Sequence, residues 1–143
     1  MNVTRLVLMI SLISVLLHGA WEWAQCRPFF EHETLPPTPM SMLRATIGDV
    51  VLTWIAYAVV ATVSNSWFWI IHPLGRKQWL TLTACAVIFG FAIEAYALHI
   101  GKWSYRASAL LIPGTRVAWL PILQLLFIFP LTFSTGRWIA VKS

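Results

Sequence analysis

The sequence has few charged residues, and acidic ones are the scarcest. Charged side chains make up 10% of its 143 residues, and Asp and Glu together number five, whereas a soluble domain carries about 25% charged residues. Hydrophobic residues account for 59% of the chain, which is more apolar surface than a water-soluble protein of this size can bury. Because lipid solvates apolar side chains, the composition excludes a soluble protein and indicates one membrane domain.

Cysteine is also scarce, and the spacings that mark metal or redox sites are missing. Cys26 and Cys85 are too few and too far apart for a CxxC motif, and no HExxH or paired ExxH occurs. The net charge of +5 comes without a dense basic patch, so lipid headgroups and topology explain it better than nucleic acid does. We therefore expect no nucleic-acid partner.

Four apolar runs are each long enough to cross a bilayer. They cover about residues 6–24, 46–71, 79–100 and 117–140. Two longer connections separate them, residues 26–44, whose prolines make it non-helical, and residues 101–116. Nine tryptophans are typical of membrane interfaces, where the ring is half wet. The sequence predicts an all-α protein, residues 1–143, with four transmembrane helices in an up-down bundle in the lipid bilayer and two longer loops on one face.

The orientation in the membrane is weakly determined, because the basic residues divide evenly between its faces. Five are expected beside the termini and five beside the long loops: Arg5, Arg76, Lys77, Arg137 and Lys142 against Arg27, Arg44, Lys102, Arg106 and Arg116. Only the dense Arg76-Lys77 turn favours both termini in the cytoplasm. We expect a multi-pass protein of a cell membrane, of the bacterial inner-membrane type. Its first run has no small-residue cleavage site, so we expect it to remain as a span.

Polar residues inside the apolar runs share one depth. At ~1.5 Å per residue, six of them lie within about 12 Å of the face that carries the long loops: His18, Glu22, Asp49, Thr53, Glu94 and Gln124. Ionisable residues within spans are costly and usually functional. Three of the five acids, Glu22, Asp49 and Glu94, lie within spans, and they can hardly all face lipid. The sequence therefore predicts a polar pocket in one half of the bilayer, capped by the two loops.

Candidate roles follow from this shared depth. The catalytic candidates are the acids and the imidazole, which can donate or accept protons: His18, Glu22, Asp49 and Glu94. The ligand-binding candidates include aromatic rings able to stabilise a cation: Trp21, Gln25, Thr53, His99, Trp103, Tyr105, Arg106 and Gln124. These residues favour a protein that binds or converts a lipophilic, isoprenoid- or sterol-like small molecule, as an isomerase, cyclase or hydratase would.

Two other functions stay open. His18 and Glu22 have the i, i+4 spacing of helical metal ligands, and Glu94, His99 and Asp49 would complete a shell for zinc, iron or manganese that serves catalysis or transport. The i, i+5 spacing of Glu94 and His99 suits this poorly, and the sequence identifies no cofactor. The small size also permits a non-catalytic accessory subunit, bound to a membrane-protein partner or to its own copies.

Each polar residue also has a purely structural explanation. His18 and Glu22 can share a hydrogen bond on one helix face. Asp49 can favour a helix N-terminus, and Gln124 can join two helices by a hydrogen bond. The prediction of a site therefore depends on the depth that these residues share.

Overall fold

Four long helices form the protein, whose computed structural model describes residues 3–31 and 38–142. They are α1 (Val3–Phe29), α2 (Pro39–Ser64), α3 (Arg76–His99) and α4 (Trp119–Lys142). Each is long and apolar enough to cross a membrane. Each helix packs against its neighbours in sequence, and α4 closes the ring against α1. The predicted four-helix transmembrane bundle is confirmed, and the chain is a multi-pass membrane protein.

Helix α2 begins earlier than its apolar run. The Thr38 hydroxyl accepts from the Ser41 N–H at 3.1 Å, and the Ser41 hydroxyl accepts from the Thr38 N–H at 2.9 Å. This reciprocal capping satisfies two amides of the first turn, and Pro39 suits the first helical position. Residues 39–44, expected in a non-helical connection, are therefore helical. Residues 26–29 of the same connection are also helical, as the end of α1, and residues 32–37 lie outside the described ranges.

Helix α2 also ends earlier than its apolar run. Asn65 adopts a left-handed conformation with φ of 52°, which directs the chain away from the helix axis. The run predicted as residues 46–71 therefore leaves the helix after Ser64, and a 3-10 helix follows at Trp69–Ile71. The apolar run of the sequence extends past the end of the helix because the turn that follows contains aromatic side chains that pack on the bundle.

Helices α3 and α4 approach closely at Gly90. A Cβ atom placed on Gly90 would lie 3.0 Å from both Cα and Cγ1 of Ile122, so an alanine here would require the two helices to move apart by a few tenths of an ångström. The small-residue pair Ala86 and Gly90 predicts this close approach. Glu94 follows one turn later on the same face and is buried.

The two long connections meet at one end of the bundle, which we call the loop end. Strand β1 (Phe30–Glu31) pairs antiparallel with β2 (Ser104–Tyr105), and Phe30 lies opposite Tyr105. The Arg106 N–H donates to the Phe29 carbonyl at 3.0 Å. These bonds hold the connections across the ends of the helices.

The opposite end of the bundle is filled by aromatic rings around Tyr57. Four rings lie with centroids 5.2–6.1 Å from its own: Trp54, Trp67, Trp69 and Phe133. Its hydroxyl donates to the Trp67 carbonyl. Hydrogen bonds between the side chains of different helices are therefore concentrated toward the loop end.

Candidate functional site

Helix α1 presents a buried polar stripe to the bundle. Ser14, His18, Glu22 and Gln25 follow one another at spacings of four, four and three, so they share one helix face. Ser14 and His18 are fully buried, and Glu22 is 9% exposed. Ser14 was not among the predicted site residues, although its position four residues before His18 could have identified it.

Gln124 on α4 lies at the centre of this polar network. Its Nε2 lies 2.8 Å from Asp49 Oδ2, 3.2 Å from His18 Nδ1 and 3.3 Å from Glu22 Oε1. Its Oε1 accepts from Gln25 Nε2 at 3.0 Å. An amide nitrogen has only two hydrogens, so the three acceptors around Nε2 share them. One side chain thus joins α1, α2 and α4.

Trp21 belongs to the network indirectly, through Gln25. Its Nε1 donates to Gln25 Oε1 at 2.6 Å, and Gln25 Nε2 donates to Glu22 Oε1 at 2.8 Å. Trp21 therefore orients the Gln25 amide, which in turn holds the Glu22 carboxyl.

The hydrogen bonds of Thr53 fix the tautomer of His18. The single hydroxyl hydrogen of Thr53 is donated to the Asp49 backbone carbonyl at 2.9 Å, so its oxygen accepts from Ser14 and from His18 Nε2, each at 3.1 Å. His18 Nε2 therefore carries a hydrogen. Its Nδ1 lies 3.4 Å from Asp49 Oδ2 and accepts from Gln124, or donates to Asp49 once the imidazole is protonated.

Glu94 forms a second polar group with the loops. Its Oε2 accepts from Trp103 Nε1 at 3.1 Å and from the Tyr105 hydroxyl. The Phe30 ring packs on both aromatic rings, with centroids 6.1 Å from Trp103 and 5.3 Å from Tyr105. Burial first, and then the adjacent Glu94, raises the pKa of the Tyr105 hydroxyl above its ordinary value. Tyr105 therefore stays protonated and donating at neutral pH.

Both polar groups face one cavity of about 500 Å³. The carboxyl groups of Glu22, Asp49 and Glu94, which come from three helices, line it together with the amides of Gln25 and Gln124. The structure thus brings together the three membrane-embedded acids that share a depth in the sequence.

Apolar side chains form most of the remaining cavity wall. They include Phe30, Met42, Leu52, Phe89, Ile93 and Leu125. Gly48 on α2 and Ile93 on α3 line the cavity and are also exposed, so the cavity reaches the outer surface between these helices. A Cβ atom on Gly48 would meet no atom within 4 Å. Both residues belong to helices long and apolar enough to cross a membrane, so we infer that this side of the cavity borders lipid.

Half of the predicted site residues line the cavity and half do not. Those outside its lining are His18, Trp21, Thr53, His99, Tyr105 and Arg106. His18 and Thr53 are fully buried behind the cavity. Tyr105 does not line the cavity itself but donates a hydrogen bond to Glu94, which does. His99 is exposed at the end of α3, and Arg106 Nε donates to the Phe30 carbonyl at 3.2 Å, which holds the loop.

The proposed metal ligands do not come together. Within residues 3–31 and 38–142, no three His, Cys, Asp or Glu side chains lie close enough to hold a metal ion. His18 and Glu22 belong to the Gln124 network, Glu94 bonds to the loops, and His99 is exposed. The i, i+5 spacing places Glu94 and His99 on different sides of α3.

Two basic residues also line the cavity, although the sequence analysis used them only for topology. Arg44 comes from the first turns of α2, and Lys102 follows the end of α3. The signal in the sequence was the position of Arg44 four residues before Gly48, on one face of the helix that carries this wall.

Comparison with known proteins leaves the function to be argued from the site alone. No protein-family model, curated protein or solved structure shows significant similarity to the chain.

Proposed function

We propose that the cavity binds a lipophilic small molecule of isoprenoid- or sterol-like kind and that its carboxyl groups act on this ligand as acids and bases. One observation carries the proposal: carboxyl groups from three helices line a single cavity that has an apolar wall and exposed lining residues on two spanning helices. The volume of about 500 Å³ falls within the range of small-molecule sites, about 300–1,000 Å³.

The position of the acids supports a role beyond helix packing. A carboxyl group inside a span is costly, and a structural one is best buried against a partner. Glu22, Asp49 and Glu94 instead border open space while each is held by neutral donors. Groups held in place at the edge of a cavity are suited to contact a ligand.

The arrangement divides the acid-base chemistry between two sides. Glu22 and Asp49 share the Gln124 amide on one side, and Glu94 is held by the loop aromatics on the other. In an isomerisation, one carboxyl group would protonate a carbon of the ligand and another would remove a proton from a different carbon. Such a step is balanced without a cofactor. His18 lies behind Asp49 and would exchange protons with it without touching the ligand.

The orientation of the chain sets the route of entry. The turn with Arg76 and Lys77, between α2 and α3, favours both termini in the cytoplasm of a bacterial-type inner membrane. The loop end then lies on the outer side. The ligand would enter from the outer leaflet, sideways, between α2 and α3.

A bulky side chain at the opening tests the proposal. Purified protein in neutral-lipid nanodiscs is incubated with tritiated farnesol, and the retained label is measured. We expect Gly48→Leu to abolish retention, because the leucine fills space next to Gly48 that is open in the wild type. Ala92→Leu adds the same side chain bulk at an exposed position of α3 outside the cavity and should retain label like the wild type.

Acid-to-amide variants test the carboxyl groups. Glu22→Gln, Asp49→Asn and Glu94→Gln should each change the affinity for farnesol or the fate of a bound ligand. If all three behave as the wild type and Gly48→Leu matches Ala92→Leu, the cavity is structural. Purification with a constant stoichiometric membrane-protein partner would then favour an accessory subunit.

A further inference from the structure

Two basic side chains lie at the mouth of the cavity. Arg44 and Lys102 line it and are both exposed. Among the described residues, neither Arg44 nor Lys102 forms an ion pair with an acid, although the Lys102 charge acts on Glu94 from a longer distance. Lys102 Nζ lies 5.0 Å from the centroid of the Trp103 ring, which places its charge beside the loop that covers Glu94.

The charges along the cavity are ordered by depth. Arg44 precedes Asp49 by five residues of α2, which is roughly 7.5 Å nearer the loop end at the helical rise. Lys102 lies beyond the end of α3, whereas Glu94 lies within it. The cations are therefore at the level of the membrane interface, and the carboxyl groups lie deeper beside the apolar wall.

We propose that the ligand is an amphiphile with an anionic headgroup, a phosphate or a carboxylate, which Arg44 and Lys102 bind at the mouth. This inference rests on the proposed function and narrows its ligand class. The hydrocarbon chain enters between α2 and α3 and lies along Leu52, Phe89 and Ile93, so that carbons near the headgroup pass the carboxyl groups.

The chemistry of the two cations fits this headgroup. The planar guanidinium of Arg44 can form paired hydrogen bonds with phosphate or carboxylate oxygens, and the Lys102 ammonium adds a mobile point charge. A neutral lipophile would offer neither cation an anionic hydrogen-bond partner. A cationic amphiphile would be repelled at the mouth before it reached the acids.

Arg116 separates this role from general attraction to anionic lipid. It is exposed on the connection between α3 and α4, at the same end of the bundle, but it does not line the cavity. Headgroups of bulk lipid would interact with all three basic residues, whereas a ligand in the cavity meets only Arg44 and Lys102.

The test compares tritiated farnesyl phosphate with tritiated farnesol in phosphatidylcholine nanodiscs. We expect the phosphate to bind at least about tenfold more tightly, and Arg44→Gln and Lys102→Gln each to weaken its binding about tenfold, as loss of a charged hydrogen bond does. Farnesol binding should weaken by much less than farnesyl phosphate binding in either variant. Arg116→Gln should leave both ligands unaffected, Arg44→Lys should restore part of the loss, and inorganic phosphate should not displace the label.

Three results would overturn the headgroup assignment. They are equal affinity for the two probes, an Arg116→Gln loss as large as that of Arg44→Gln, or displacement by inorganic phosphate, which would make a free anion the ligand. With farnesol still bound and still excluded by Gly48→Leu, the proposed function would stand without it. If neither probe binds to the wild type, the proposed function itself fails.

Discussion

Replacing Gln124 with leucine removes the centre of the polar network and nearly conserves side-chain size. The change deletes the donor shared by Asp49, His18 and Glu22 and the acceptor for Gln25. Leucine leaves these buried groups to find other partners. We expect Gln124→Leu to lower the free energy of unfolding and to loosen α4 from α1 and α2.

The magnitude follows from the number of bonds that one amide can form. Gln124 makes three at a time, two donated and one accepted. Side-chain hydrogen bonds in membrane proteins average about 0.6 kcal/mol and reach about 1.7, so three contribute about 2–5 kcal/mol by the same values. Water in the cavity can replace the partner of Asp49 or Glu22 but does not reach the fully buried His18. We therefore expect Gln124→Leu to lower the free energy of unfolding by about 2 kcal/mol.

Thr132 provides a matched control on the same helix. It is fully buried, and its Oγ1 is without a hydrogen-bond partner among the described residues. Thr132→Val should therefore be neutral or stabilising by up to about 1 kcal/mol, since it removes an unpaired buried hydroxyl. Both variants are unfolded with SDS in mixed micelles and followed by far-UV circular dichroism. Equal loss of stability in the two variants, or no loss in Gln124→Leu, would refute the importance of the network.

Two further predictions concern packing and pH. Gly90→Ala should lower the free energy of unfolding by about 1–3 kcal/mol, because its Cβ meets the Ile122 backbone at 3.0 Å. Gly48→Ala, whose Cβ meets no atom within 4 Å, should be neutral or stabilising by up to about 1 kcal/mol, and a similar loss in both SDS titrations would contradict this packing. The pKa of Tyr105 is raised above its ordinary value of 10.0 in the folded protein. Its contribution to the free energy of unfolding is therefore complete below pH 10.0. That contribution declines at higher pH, because the unfolded chain loses the proton first. In unfolding titrations from about pH 8 to about pH 11, Tyr105→Phe should show a smaller decline than the wild type, and an unchanged slope would exclude this linkage.

The shared depth of the acids could be predicted, but their direction could not. Counting residues from the ends of the apolar runs places Glu22, Asp49 and Glu94 at one level. Whether they point to a common centre depends on how each helix is rotated about its axis. That rotation is set by contacts such as Gly90 against Ile122, which hydropathy does not specify.

The limits of α2 and the position of Arg44 were both predicted wrongly from the sequence, and the two errors have one cause. Hydropathy reports which residues tolerate lipid, whereas a helix begins where its first amides are satisfied. The reciprocal bonds of Thr38 and Ser41 start α2 ahead of the apolar run. This extension makes Arg44 part of a helix and places it on the cavity wall.

By itself, the sequence determined the solvent, the number of spans and the end of the bundle toward which the polar groups lie. These properties depend on the length and composition of each run, since a span without water must satisfy its own backbone as a helix. Tertiary structure alone decided that Gln124 joins three helices, that Ser14 and Thr53 hold His18, and that a cavity opens between α2 and α3. Such contacts depend on which helix faces meet, and distances between different helices are not encoded in the periodicity of any one of them.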